Sequence, residues 1–343
     1  MRRIGIMTSG GDCPGLNAVI RSAVKTAYEV YGAEVVGIHD GFLGLLPTGV
    51  TRTLSIKDVR GVLSQGGTIL GTTNEGPFNL GPDSKPLDEA RATFESAAKQ
   101  YRRLKLEALI VVGGDGSMRI ARALSDFGVN LVGVPKTIDN DVEATERTFG
   151  FDTAVEIACQ ALDRLRTVAA AHHRIMVCEV MGREAGWIAL HAGLASGADA
   201  ILIPEIPFSW EPLVKMVDER RARESQYSLI VVAEGATIVD SGPVWQADGQ
   251  LGGIGLVVSN ELAQRAGVMT RVTVLGHVQR GGTPTANDRV LASRFGETAT
   301  HLVARGTYGQ MVALHADDLI GLQGNHLLVV SPSHKVGGGL AKP

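Results

Sequence analysis

Two short runs carry most of the chemistry this sequence could perform. They are Val111-Val112-Gly113-Gly114-Asp115-Gly116-Ser117 and Pro135-Lys136-Thr137-Ile138-Asp139-Asn140-Asp141. Each follows an apolar, strand-like stretch and puts carboxylates where a loop should begin. In the first, glycines let a phosphate approach the backbone N–H groups, and Ser117 is expected to cap the next helix. The turn does not need Asp115, and a carboxylate beside phosphates calls for a cation. Mg²⁺ typically takes one or two carboxylates plus phosphate oxygens. In the second, Asp139 and Asp141 flank Asn140. One carboxylate could accept a proton from an attacking hydroxyl while the other holds position or metal. An Asx-turn pair in a surface loop would explain the second run alone, but not its company with a glycine cradle. Together the runs point to phosphoryl transfer.

Other residues extend the set. The loop Thr8-Ser9-Gly10-Gly11-Asp12-Cys13-Pro14-Gly15-Leu16-Asn17 leaves a strand and opens a helix, a place that favours anions. It is neither GxGxxG nor a Walker A loop, and a plain tight turn is the alternative. His172-His173-Arg174 precedes a strand run and Met181-Gly182-Arg183 follows it. Arg271 opens a later run leading to His277-Val278-Gln279-Arg280-Gly281-Gly282. Arginines at strand ends suit phosphate because the guanidinium fork binds two oxygens at once. Glu234, at another strand end, could accept hydrogen bonds from a sugar hydroxyl. Arg164 and Arg166 fall within a helix candidate and read as a solvated face or ion-pair partners.

The elements that must hold these residues alternate in type. Strands are expected at Arg3–Thr8, Glu34–His39, Ala108–Val112, Asn130–Val134, Arg174–Val180, Asp199–Ile203, Tyr227–Ala233 and Arg271–Leu275. Helices are expected at Leu16–Tyr28, Asp88–Arg103, Ser117–Phe127, Phe151–Val168, Glu184–Ala195 and Glu211–Glu224. Near-continuous apolar strands alternating with helices predict parallel sheets covered on both faces, with ligands beyond the strands' carboxyl ends. At 343 residues the chain is long enough for two domains, and the expected boundary is near Gly150. His334 to Pro343 reads as a mobile tail.

Bulk composition excludes several classes. Apolar residues make up 44%, charged residues 20%, and the net charge is only −3, so neither a nucleic-acid binder nor a disordered chain is expected. No apolar run reaches membrane-spanning length. The cysteines Cys13, Cys159 and Cys178 are odd in number and widely spaced. With no leader pattern before the first strand, this predicts reduced thiols in a cytoplasmic protein.

In this order, the first glycine loop, GGDGS, PKTIDND, MGR and GHVQRGG resemble the ATP- and pyrophosphate-dependent 6-phosphofructokinases, from the first strand to about Gln310. The diacylglycerol- and NAD-kinase group shares a GGDG loop but lacks the later motifs. The resemblance implies two doubly wound, Rossmann-like α/β domains with the active site in the cleft between them. One would span 1–150 plus about 279–325, the other 151–278 plus about 326–343. It implies Mg²⁺-dependent transfer from ATP to the 1-hydroxyl of fructose 6-phosphate. Asp139 would be the base and Asp115 the Mg²⁺ ligand. Gly11, Asn74, Glu75, Gly114, Asp115, Gly116 and Ser117 would take the nucleotide. Thr137 would hold the transferring phosphoryl and Arg183 offset its charge. Ile138, Met181, Gly182, Glu234, His277, Val278, Gln279 and Arg280 would line the acceptor pocket. Arg174 and Arg271 match residues supplied by a neighbouring subunit, so a homodimer or homotetramer is implied.

Two letters bear on the donor. In the family, a glycine at Gly116 leaves room for nucleotide, whereas a lysine at Lys136 goes with pyrophosphate. The steric character favours ATP, because a lysine can serve either donor. Asn74 stands where the family usually has an arginine. In the bacterial effector site Arg21, Arg166 and Arg223 match, but Lys25 and Asp199 replace an arginine and a glutamate. Pyrophosphate dependence, another sugar phosphate such as sedoheptulose 7-phosphate as acceptor, and a catalytically silent binding regulator are the competing expectations.

Overall fold

Runs with strand period and runs with helix period each become the element their period favours. The computed structural model describes residues 1–322 apart from Glu224, Gln226, Asp248 and Asp317. In chain order the first elements are β1 (Arg3–Thr8), α1 (Leu16–Tyr31), β2 (Glu34–Ile38), β3 (Thr51–Leu54) and α2 (Arg91–Arg103). Then come β4 (Ala108–Gly113), α3 (Asp115–Ser125), β5 (Leu131–Thr137), β6 (Phe149–Gly150) and α4 (Phe151–His172). The next are β7 (Ile175–Val180), α5 (Trp187–Ala195), β8 (Ala200–Leu202), α6 (Trp210–Ala222) and β9 (Ser228–Ala233). The hairpin β10 (Thr237–Ile238) and β11 (Gly242–Pro243) leads to α7 (Ile254–Ala266) and β12 (Thr270–Val274). α8 (Ala286–Ala304), β13 (Gln310–His315) and β14 (Asp318–Leu322) follow.

Contacts divide the chain into two compact units. The first takes residues 1–137, 142–150 and the described chain from Gly281 onward; the second takes 138–141 and 151–280. The expected tail, and the expected return of about 326–343 to the second domain, lie outside the described residues.

The first unit is built on the sheet order β14-β13-β5-β4-β1-β2-β3, with β6 beside β5. Its interior pairs are parallel, as β1–β4 and β4–β5 show. The parallel core is as expected, and two edge strands are added to it, β3 and β14, which run antiparallel to their neighbours. β14 follows β13 too closely for a crossover, and so short a connection allows only antiparallel pairing. β1 lies between β2 and β4, so the chain leaves it to one side and later returns on the other. The loops after β1 and β4 therefore flank a topological switch point, where such sheets take their ligands.

The second unit has the sheet order β12-β7-β9-β8, all parallel. Ile175, Val177, Ile230 and Val232 face one way and pack with α6 and α7 residues such as Leu213, Val217, Ile254 and Val258. The alternate residues Met176, Cys178, Leu229 and Val231 are buried too, because α4 and α5 also pack on this sheet.

Candidate active site

In the first unit, hydrogen-bonded β1 and β4 bring the loops at their carboxyl ends together. The Ser9 N–H donates to the Val112 carbonyl at 2.9 Å, and Ser117 Oγ donates to Ser9 Oγ at 3.0 Å. Ser117 therefore does not cap the next helix as expected. α3 already begins at Asp115, with Gly114 at its N-cap position and no side-chain cap, and the buried Ser117 hydroxyl finds its acceptor on the neighbouring loop instead. The helix start is left as the kind of place where backbone N–H groups favour an anion. A Cβ added to Gly116 would meet nothing within 4 Å, so this glycine opens onto free space.

Asp115 lies in the first turn of α3, about a third exposed, and pairs with Arg119 at 3.1 Å. One such carboxylate beside a helix start that favours anions fits Mg²⁺, whose remaining ligands would be phosphate oxygens and water. A third loop completes this face. Thr72 Oγ1 donates to the Gly10 carbonyl at 2.6 Å, and the Gly10 N–H donates to the Thr73 carbonyl at 3.1 Å. These bonds bring exposed Asn74 and Glu75 beside the first glycine loop. Lys136, only 3% exposed near the end of β5, donates through Nζ to the Gly11 carbonyl. The position a Gly10 Cβ would occupy lies 3.3 Å from Lys136 Nζ and 3.8 Å from Asn74 Oδ1.

The chain passes from one unit to the other inside the second run. Thr137 ends β5, and its carbonyl accepts from Thr148 Oγ1 at 2.9 Å. Ile138 is fully buried, Asp139 is 3% exposed, and Asn140 takes a left-handed φ of 54°. In the second unit, the carboxyl ends of β7, β9 and β12 carry Met181-Gly182-Arg183, Glu234 and the Gly276–Arg280 turn. Glu234 Oε1 accepts from the N–H groups of Gly182 at 3.2 Å and Arg183 at 2.8 Å. One oxygen of the expected hydroxyl acceptor thus shapes the Arg183 loop. Burial raises the Glu234 carboxyl above its ordinary value, and the charges of Asp139 and Glu179 push the same way; the two N–H bonds oppose this. Arg183, His277 and Val278 are exposed, Arg280 is half-buried and Met181 is buried. Gln279 is fully buried and turned inward, its Nε2 donating to the Gly276 carbonyl at 3.1 Å.

Arg174 and Arg271 stand elsewhere. Arg174 precedes β7 and Arg271 lies at the start of neighbouring β12, so both occupy the sheet edge opposite to Arg183, Glu234 and His277. Arg174 precedes all six residues of β7, about 20 Å of strand; Arg271 is in register with Met176, and its Nη1 donates back to the Thr270 carbonyl at 2.8 Å. The buried Arg174 Nε has no hydrogen-bond partner among the described residues.

Sequence reasoning passes over the anchoring roles of several polar residues. Asn17 Oδ1 accepts from the Ile69 N–H at 2.8 Å, while Nδ2 donates to the Gln65 and Gly66 carbonyls at 3.2 Å. It anchors the loop that carries Asn74. Glu179, inside an apolar run, has both oxygens hydrogen-bonded to backbone. Arg166, read as solvated or ion-paired, donates to the Ser196 and Gly197 carbonyls. Asp199, at an effector-site position, pairs with Arg220 at 2.8 Å and accepts from the Leu229 N–H at 2.8 Å. Neither residue's outward position in the sequence pattern hints at these partners.

Comparison with known proteins adds a family. The phosphofructokinase model matches residues 3–303. An ATP-dependent 6-phosphofructokinase of Chloroflexus aggregans is 54% identical over 320 residues, covering 93% of this chain and 89% of that protein. A pyrophosphate–fructose 6-phosphate 1-phosphotransferase of Amycolatopsis methanolica is 50% identical over 325 residues, covering 93% and 92%. The solved phosphofructokinase of Saccharomyces cerevisiae superposes with a TM-score of 0.82 at 33% identity, over 94% of this chain and 44% of that longer chain.

Proposed function

The chain belongs to the phosphofructokinase family, and from that premise we propose that it transfers a phosphoryl group from ATP to the 1-hydroxyl of fructose 6-phosphate. The products are fructose 1,6-bisphosphate and ADP, as in glycolysis. The observation that carries the reading is the buried run from Lys136 to Asp139. It leads from a strand whose Lys136 reaches the first glycine loop to a carboxylate only 3% exposed.

In this reading Gly11, Gly114, Asp115, Gly116 and Ser117 take the donor, with Asn74 and Glu75 at its rim. Asp115 would hold Mg²⁺, which when bound offsets charge on the phosphates. Asp139 accepts the proton of the attacking hydroxyl. Thr137 and Arg183 steady the transferring group. Met181, Gly182, Glu234, His277 and Arg280 orient the acceptor. The protein does little covalent work, so positioning and charge dominate. Arg174 and Arg271 stand toward the amino ends of their strands, with Arg271 turned back onto the Thr270 carbonyl, which supports their serving a second copy of the chain.

Two observations bear on the donor. Open space at Gly116 suits the bulk of a nucleotide. The Lys136 ammonium held against Gly11 favours the second reading, pyrophosphate, by adding a fixed cation. The experiment is a set of initial rates at fixed Mg²⁺, pairing ATP or pyrophosphate with fructose 6-phosphate or sedoheptulose 7-phosphate. ATP with fructose 6-phosphate should be fastest, and a faster rate with pyrophosphate would reverse the assignment. Gly116→Asp should abolish ATP use by filling the free space; retained ATP activity would refute the steric argument.

A further inference from the structure

We propose that Glu179 is a positioning residue for the acceptor side of the active site, acting through α7 and β12 on the His277–Arg280 turn; this rests on the functional reading above. Glu179 lies near the carboxyl end of β7 and is 3% exposed. Its Oε1 accepts from the Gly253 N–H at 2.9 Å and its Oε2 from the Gly255 N–H at 2.7 Å. These groups open α7, whose N-cap residue, Gly253, has no side chain to offer. The cap is lent by the neighbouring strand, and it is a full negative charge at the positive end of the helix dipole. Glycine is required to receive it. Gly252 and Gly253 have φ of 130° and 86°, and a Cβ on Gly255 would lie 3.0 Å from Glu179 Cβ and Oε2.

From α7 the restraint passes directly to the site. Ser259 on α7 donates through Oγ to Thr270 Oγ1 at 2.9 Å, and Thr270 Oγ1 donates back to the Ser259 carbonyl at 3.0 Å. Thr270 opens β12. At the other end of that strand, the Leu275 N–H donates to the main-chain carbonyl of Glu179 at 3.0 Å. One residue thus holds the start of α7 by its side chain and the exit of β12 by its backbone. The next residues are Gly276 to Arg280. Glu179 is also followed, three residues on, by Gly182 and the Arg183 loop. A buried carboxylate is costly unless hydrogen-bonded, and the strand could have carried another apolar residue here, as at Val177. The charge is instead spent on fixing one acceptor loop relative to another.

The test compares wild-type protein with Glu179→Gln, which has one acceptor oxygen where two are used. Gly255→Ala is the milder second variant, displacing the carboxylate while keeping its charge. KM for fructose 6-phosphate and for ATP are measured separately, with kcat and thermal midpoint. The expected result is a rise in fructose 6-phosphate KM of about tenfold or more, with ATP KM within about twofold, since small misplacement of binding groups costs that much or more. Unchanged KM values, or a fall in thermal midpoint alone, would overturn the proposal. So would parallel shifts in both KM values, the mark of a general structural role. Should Glu179→Gln not fold, Gly255→Ala decides by the same criteria. A wild-type protein inert toward fructose 6-phosphate would instead overturn the functional reading.

Discussion

At the scale of single residues, the site depends on groups whose surroundings differ more than their chemistry. Asp115 is partly open and ion-paired, suited to meet a cation; Asp139 is buried two residues past a strand end. Replacing Asp139 with Ser should lower turnover by about 10²–10⁴-fold, the range of a lost general base, while fructose 6-phosphate binding stays largely intact. Steady-state rates combined with equilibrium binding would check this, and near-normal turnover would remove Asp139 from the role. Glu234 shows how a side chain can have two tasks. One of its oxygens shapes the Arg183 loop, and burial keeps its carboxyl readier to hold a proton. Because its folded-state value is raised, the native protein loses stability as pH rises from the ordinary glutamate value through the raised one.

At the scale of elements, the site depends on close approach between loops and short strands. β6 pairs with β5 through Lys136–Phe149 and Thr137–Gly150, setting the path that leads to Asp139. Gly150 has φ of 96°, and a Cβ there would lie 2.8 Å from Cys13 Cβ and Sγ. Gly150→Ala should therefore cost about 1–3 kcal/mol through strain and crowding. Gly116→Ala, in open space, should stay within about 1 kcal/mol of wild type. Denaturation midpoints of the two variants would test the contrast. Sequence reading passes over two of the helices. α7 follows two glycines and carries no capping side chain of its own. α8 is passed over as well, although it carries a signal: Thr285 Oγ1 accepts from the Asp288 N–H at 3.2 Å, the Thr-x-x-Asp pattern of a helix start.

At the scale of the whole molecule, the opposite-edge arginines make the strongest claim. If Arg271 serves a neighbouring copy, Arg271→Ala should weaken fructose 6-phosphate binding by about 2–5 kcal/mol. Co-refolding Arg271→Ala with Asp139→Ser should then restore activity above the sum of the two, since a hybrid contains one intact site. No recovery, in a mixture shown to exchange subunits, would confine each site to one chain. The sequence by itself determined the reaction class and most of the elements. Gly116, Asp115 and Asp139 stand out there as candidates because loop chemistry is local: glycines free N–H groups, and the carboxylates follow apolar strand runs. It could not show that Ser117 bonds to Ser9, that Asn17 anchors the Gln65–Ile69 segment, or that Glu179 caps a helix more than seventy residues later in the chain. Those partners meet only when strands pair and helices pack. Only the tertiary structure decided which polar residues are held by the fold and which are left for a ligand, because a hydrogen-bond partner is fixed by distance in space and not along the chain.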